Sequence, residues 1–114
     1  MHVAVIEIAK IGLALAFLFY GYACIATPTM VGEFARYGIP KLRLFVGWLE
    51  IVGGLGILVG YLIPVVGLLA TAGIALLMLG GVVLRIAIKD RVIAIFPAAF
   101  LMVVASVIFY ASLV

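Results

Sequence analysis

Few side chains in this sequence can do chemistry, and Glu50 is the one whose position matters most. It stands inside an apolar run, where an ionisable group is expensive to bury and is by default a candidate functional group. Gly47, Gly53 and Gly54 lie at i−3, i+3 and i+4 from it and share its helical face, and glycines let a second helix come close. Trp48 falls on the far side. The carboxyl is therefore expected to face the interior of a helix bundle, about 9 to 10 Å in from the basic end of its helix at 1.5 Å per residue.

Counting the same depth along the other apolar runs predicts its company: Tyr20, Met78, and the stretch Phe96 to Ala98. Pro97 leaves the Ile93 carbonyl without its usual helical donor. Arg85 ends a stripe of Thr71, Ile74, Met78 and Gly81, and Arg43 stands two turns before Glu50 on its face. Either arginine can turn inward or reach the headgroups. The expectation is a small polar pocket near one leaflet, with Glu50 at its floor, Tyr20 donating to it, and Arg43 or Arg85 at its mouth. The plain alternative is that Glu50 only ties helices together by a hydrogen bond or ion pair. Cys24, one turn after Tyr20, reads either as a reactive thiol or as a small packing residue. Glu7 and Lys10 are spaced to pair with each other, and Asp90 stands where a helix cap belongs. The many glycines fit close helix packing rather than a phosphate loop, since no strand precedes them.

The elements that must position these residues follow from charge-free stretches. Of 114 residues, 70% are apolar and only eleven carry a charge, seven basic and four acidic. A hydrocarbon core of about 30 Å takes roughly 20 apolar residues to cross, so the chain has room for about four passes and little else. Ile11 to Gly32, Ile51 to Leu84 and Val92 to Val114 hold no charge. The second of these, 34 residues long, is divided by Gly60-Tyr61-Leu62-Ile63-Pro64, where glycine ends one helix and proline opens the next. The predicted fold is all-α, a single domain over 1–114, a four-helix membrane bundle with spans of about 3–26, 42–60, 65–88 and 91–113. The first span is read as structure, not a cleavable signal, because no basic region precedes it. Between the first two spans, 28–38 is predicted as a short interfacial helix. Thr27 is its expected cap, Pro28 its first turn, Gly38 its stop, and Met30, Phe34 and Tyr37 its apolar face.

Composition also removes functions. One cysteine and one histidine exclude, within one copy, an internal disulfide, a dithiol redox pair, a bis-histidine haem and a multi-histidine zinc site. No metal site is expected. The net charge of +3 comes from basic residues clustered at the ends of spans, a pattern of membrane topology and not of nucleic-acid binding. Arg36, Lys41 and Arg43 flank the first connection and Arg85, Lys89 and Arg91 the third. Those connections are expected to be cytoplasmic and both termini to face outward.

Glu33-Phe34-Ala35-Arg36-Tyr37-Gly38-Ile39-Pro40, then Gly47-x-Leu49-Glu50-x-x-Gly53 and Gly56-x-x-x-Gly60, and finally Leu77-Met78 with Arg85 and Lys89-Asp90, resemble the DoxX-like family of small four-helix membrane proteins. The resemblance runs from about Ile11 to Asp90. It matches Glu50 to the glutamate of the family's glycine-flanked second helix. It implies association with membrane thiol and quinone redox assemblies, or a role in assembling other membrane proteins. Many relatives carry lysine three positions after the glycine near the end of the first helix, where this chain has Cys24.

These expectations combine into a small subunit in the inner membrane of a prokaryote. It would bind a hydrophobic ligand, a quinone or lipid, through Glu50, Tyr20, Arg85, Arg43, Met78 and Cys24, and serve redox partner proteins, with a homo-oligomer as a further possibility. It has no intrinsic cofactor and no assigned catalytic residue, so catalysis by the chain alone is not expected. Two alternatives stand beside this. One is an assembly factor or scaffold acting by helix packing. The other, a small proton-coupled transporter, is weakened because Glu7 lies at the start of the first span and because the basic bias opposes a dual-orientation dimer.

Overall fold

The computed structural model describes residues 2–113, with side chains from Ala4 onward. The chain forms α1 (His2–Ala26), α2 (Pro28–Arg36), a 3-10 turn (Pro40–Leu42), α3 (Arg43–Val59), α4 (Pro64–Ala87) and α5 (Val92–Leu113). No strand occurs among the described residues. The four long helices are each long and apolar enough to cross a membrane, and α2 is the predicted short helix between the first two. Their limits differ from the expected spans by about one residue.

Two elements end by the same device. At the end of α2 the Ile39 N–H donates to the Phe34 carbonyl and the Gly38 N–H to that of Ala35, with Gly38 at φ 81°. At the end of α4 the Asp90 N–H donates to Arg85 and the Lys89 N–H to Ile86. Lys89 takes the left-handed position at φ 57°. Both are Schellman closures, which favour glycine at that position. Thr27 does not cap α2. Its hydroxyl turns back and donates to the Ala23 carbonyl at 2.6 Å, which also accepts the Thr27 backbone N–H at 3.0 Å, the i−4 back-bond common to threonine.

α1 packs on α3, α3 on α4, α4 on α5, and α5 returns to α1, while the backbones of the diagonal pairs stay apart. Glycines set how closely the helices approach. On α3, Gly47 and Gly54 face α1: a Cβ at Gly54 would lie 2.8 Å from the Ala14 carbonyl oxygen. Gly53, Gly56 and Gly60 face α4, meeting Ile74, Ala70 and Gly67. The core falls into two parts. One joins Leu13, Ala14, Phe17, Ile57, Ile74, Ala105 and Ile108; the other, beneath α2, joins Cys24, Phe34 and Tyr37. Along α3, Glu50 lies between Val46, which packs on the second part, and Ile57, which belongs to the first. Most large apolar side chains outside these clusters are exposed, Trp48 among them, as a surface meeting lipid requires.

Candidate functional site

Glu50 faces inward from α3. Its Oε2 is fully buried and has no hydrogen-bond partner. It lines a cavity of about 360 Å³ under α2, between α3 and α4. Met30, Phe34, Tyr37, Val46, Met78 and Leu84 supply much of the wall, and Arg85 stands in it as well. A buried carboxyl oxygen without a partner is costly in a low-dielectric setting, so this cavity has one unmet polar demand at its floor.

α2 closes the cavity. Its apolar face buries Phe34 and Tyr37 against Cys24, and their rings meet edge-on at 5.5 Å. Tyr37 is the polar part of that lid. Arg85 Nη2 donates to the Tyr37 hydroxyl at 2.9 Å, and Arg85 Nη1 to the Gly81 carbonyl at 3.3 Å. Burial pushes the Tyr37 hydroxyl above its ordinary range, against the opposing pull of the Arg85 guanidinium. The hydroxyl thus keeps its proton at neutral pH, with the Glu33 carboxylate close by to accept it.

A second tie holds α2 down. Arg36 Nη2 donates to Glu33 Oε2 at 2.6 Å and to Asp90 Oδ2 at 3.1 Å. Both carboxyls are held below their usual values, chiefly by hydrogen bonds from Arg36. Asp90 Oδ1 also accepts the Arg91 N–H at 3.0 Å. Asp90 therefore does not cap α5, which starts at Val92 behind Arg91; it fastens α2 to the turn between α4 and α5. The side-chain hydrogen bonds Arg36–Asp90 and Arg85–Tyr37 thus both fasten α2 and the residue that follows it to the end of α4. At the other end of the bundle Lys10 pairs with Glu7 at 3.4 Å, as their spacing predicts.

Of the residues singled out by sequence, the structure brings Glu50, Met78 and Arg85 to one cavity. Tyr20 is not among them. It is 44% exposed and packs edge-on against Phe17 and Phe19. Depth counting set its height but not its azimuth: it falls at the flank of the buried stripe Leu13, Ala14, Phe17, Gly21 and Cys24. Arg43 is also turned elsewhere. Its Nη1 donates to the Cys24 carbonyl at 2.9 Å and the Ile25 carbonyl at 2.6 Å, closing the end of α1, where unpaired carbonyls attract a cation. Cys24 is 1% exposed, and its thiol donates to the Arg43 carbonyl at 3.3 Å. That contact favours the packing reading over a reactive thiol. Phe96 is exposed and stacks on Phe100, while Ala98 is buried near Gly81. No residue of α5 lines the Glu50 cavity. Tyr37 is the group that sequence reasoning missed, although its place on the face shared with Met30 and Phe34 was visible.

An all-helical bundle with four membrane-length helices, a short helix folded over one end and a carboxyl buried beneath it defines a small multi-pass membrane protein. The sequence profile of the DoxX-like family matches residues 8–107. The chain belongs to the DoxX-like family. Comparison with curated proteins and with solved structures gave no match.

Proposed function

We propose that this protein binds a small hydrophobic ligand with a polar head, a quinone or a lipid, in the cavity beneath α2. The observation that carries the reading is the buried Glu50 Oε2 without a partner, in a cavity that also holds the Tyr37 hydroxyl and the Arg85 guanidinium. At about 360 Å³ the space lies within the 300–1,000 Å³ range roughly typical of small-molecule sites. An apolar wall with few convergent polar groups suits a molecule bearing one or two hydroxyl or carbonyl oxygens. Glu50 and Tyr37 would orient such a head, with Arg85 as a further donor. The cavity favours this reading over a pure scaffold, which would need only sealed helix contacts. A redox role would come from the ligand's own chemistry and from partner proteins.

All six basic residues from Arg36 to Arg91 belong to the end of the bundle covered by α2, and Lys10 alone belongs to the other. We read the chain as a plasma-membrane protein of a prokaryote, and this distribution supports α2 on the cytoplasmic side with both termini outside. A carboxyl-terminal reporter active only in the cytoplasm should stay silent. Strong activity would reverse the assignment.

Native mass spectrometry of the detergent-purified protein tests the ligand reading. Wild type and Tyr20→Phe should retain one defined hydrophobic molecule, and Glu50→Gln and Tyr37→Phe should lose most of it while remaining folded. If all four carry only bulk lipid and behave alike, Glu50 is architectural and the reading fails.

A further inference from the structure

Beyond the Glu50 cavity, an apolar groove of about 570 Å³ runs along the outer side of the α3–α4 seam. The cavity and the groove share Leu76 and Leu77 in their walls. We propose that they form one site for a single-chain amphiphile. Its neutral, hydroxyl-bearing head lies against Glu50, Tyr37 and Arg85, and its hydrocarbon tail lies along the seam toward Val66. This rests on the ligand reading above and adds the class of ligand.

Three features select that occupant. The first is one-sided polarity. No titratable residue lines the groove, whereas Glu50, Tyr37 and Arg85 all stand in the cavity. The second is shape. Behind the groove α3 and α4 close on one another through Gly53 against Ile74, Gly56 against Ala70 and finally Gly60 against Gly67, where a Cβ on Gly60 would lie 2.6 Å from the Gly67 Cα. The close helix approach gives the groove a continuous floor along which a chain can lie. From Leu77 to Val66 it follows about 16 Å of helix axis. At Gly73, which lines it, an added Cβ meets nothing within 4 Å, so the space is open to a tail. Leu76 in the shared wall is 68% exposed, which leaves the junction reachable from lipid.

The third feature is depth. Glu50 lies seven residues inside α3, about 10 Å from its basic end. A phosphate head drawn to that depth would meet the Glu50 carboxyl and an apolar wall, with Arg85 already donating to Tyr37 and the Gly81 carbonyl, an expensive place for its charge. A hydroxyl carries none. It both donates and accepts, so it pairs with the Glu50 carboxyl in either protonation state and accepts from Arg85.

Photolabelling of the full chain in phosphatidylcholine vesicles tests this. Two monoacylglycerol probes are used, one with a diazirine beside the head and one with it midway along the chain. The first should label cavity residues such as Met78 and Leu84, the second seam residues such as Val52, Leu69 and Gly73. Excess unlabelled monoacylglycerol should suppress both. Gly73→Leu, whose side chain enters the open groove, should lower seam labelling about tenfold. Val52→Trp fills the same groove from α3 and should act alike if Gly73→Leu folds poorly. If the head probe labels the cavity competitively while the mid-chain probe spreads over α1 and α5 and ignores both variants, the tail assignment is wrong and the ligand reading stands. If neither probe is competed, the proposed amphiphile class is overturned, and the copurification experiment decides the ligand reading separately.

Discussion

Replacing Gly54 with alanine should push α1 and α3 apart, and the cost can be worked from the contact it creates. The new Cβ would lie 2.8 Å from the Ala14 carbonyl oxygen and 3.0 Å from Leu18 Cγ. A flexible side-chain tip could swing away, but the Ala14 oxygen is backbone, so relief requires the helices to separate along their whole interface. Overpacking of this kind costs about 1–3 kcal/mol. Alanine also recovers up to about 1 kcal/mol of helix propensity relative to glycine, which blurs the result for one variant alone. Gly73→Ala supplies the control, since its added Cβ meets nothing within 4 Å and it carries the same propensity gain. The two variants should therefore differ by about 2 kcal/mol, Gly54→Ala being the less stable. Reversible unfolding in mixed micelles, followed by circular dichroism, reads that difference. Equal stabilities would refute the claim that backbone contact at glycine sets the α1–α3 distance.

Arg43→Ala removes the two hydrogen bonds from Arg43 Nη1 to the end of α1 and should lower stability by about 1–2 kcal/mol, whereas Lys41→Ala should be neutral by thermal unfolding. Lys89→Gly should stabilise the protein by about 1 kcal/mol by relieving a left-handed backbone; an unchanged or lower midpoint would contradict the closure described for α4. The docking of α2 should depend on pH only in acid. Glu33 and Asp90 are held below their ordinary values of 4.5 and 3.8 by Arg36. Their contribution is thus fully present above those values and is lost as pH falls through the lowered ones. A spin label at exposed Val31 should show constant mobility from neutral pH to about 5 and rising mobility below about 4, and in Arg36→Gln that acid rise should disappear.

The helices were legible because lipid leaves strong marks: long charge-free runs, glycine and proline between them, and arginine and lysine at one set of ends. Glu50 was legible for the same reason, as a charge where charges are expensive, with glycines on its face that fixed its direction. Its neighbours were less so. Depth along a helix gives height, and on height alone Tyr20 matches Glu50, yet rotation about the axis carries it to the surface. Tyr37 comes from a connection outside the spans, so counting along spans could not reach it. The Arg36–Asp90 tie joins residues 54 positions apart, and no local pattern announces such a pair. Lys89 at a left-handed turn carries no glycine signal, so the closure of α4 was not legible, although the basic residues Arg85, Lys89 and Arg91 marked its end.

The central claim is that the Glu50 carboxyl meets a ligand in the cavity beneath α2. Infrared difference spectroscopy observes that carboxyl directly, comparing protein that retains its copurified hydrophobic molecule with protein exchanged into ligand-free detergent. The account predicts a difference band in the carboxyl region that Glu50→Gln removes and Tyr20→Phe leaves in place. A carboxyl spectrum that does not change on ligand exchange would contradict it.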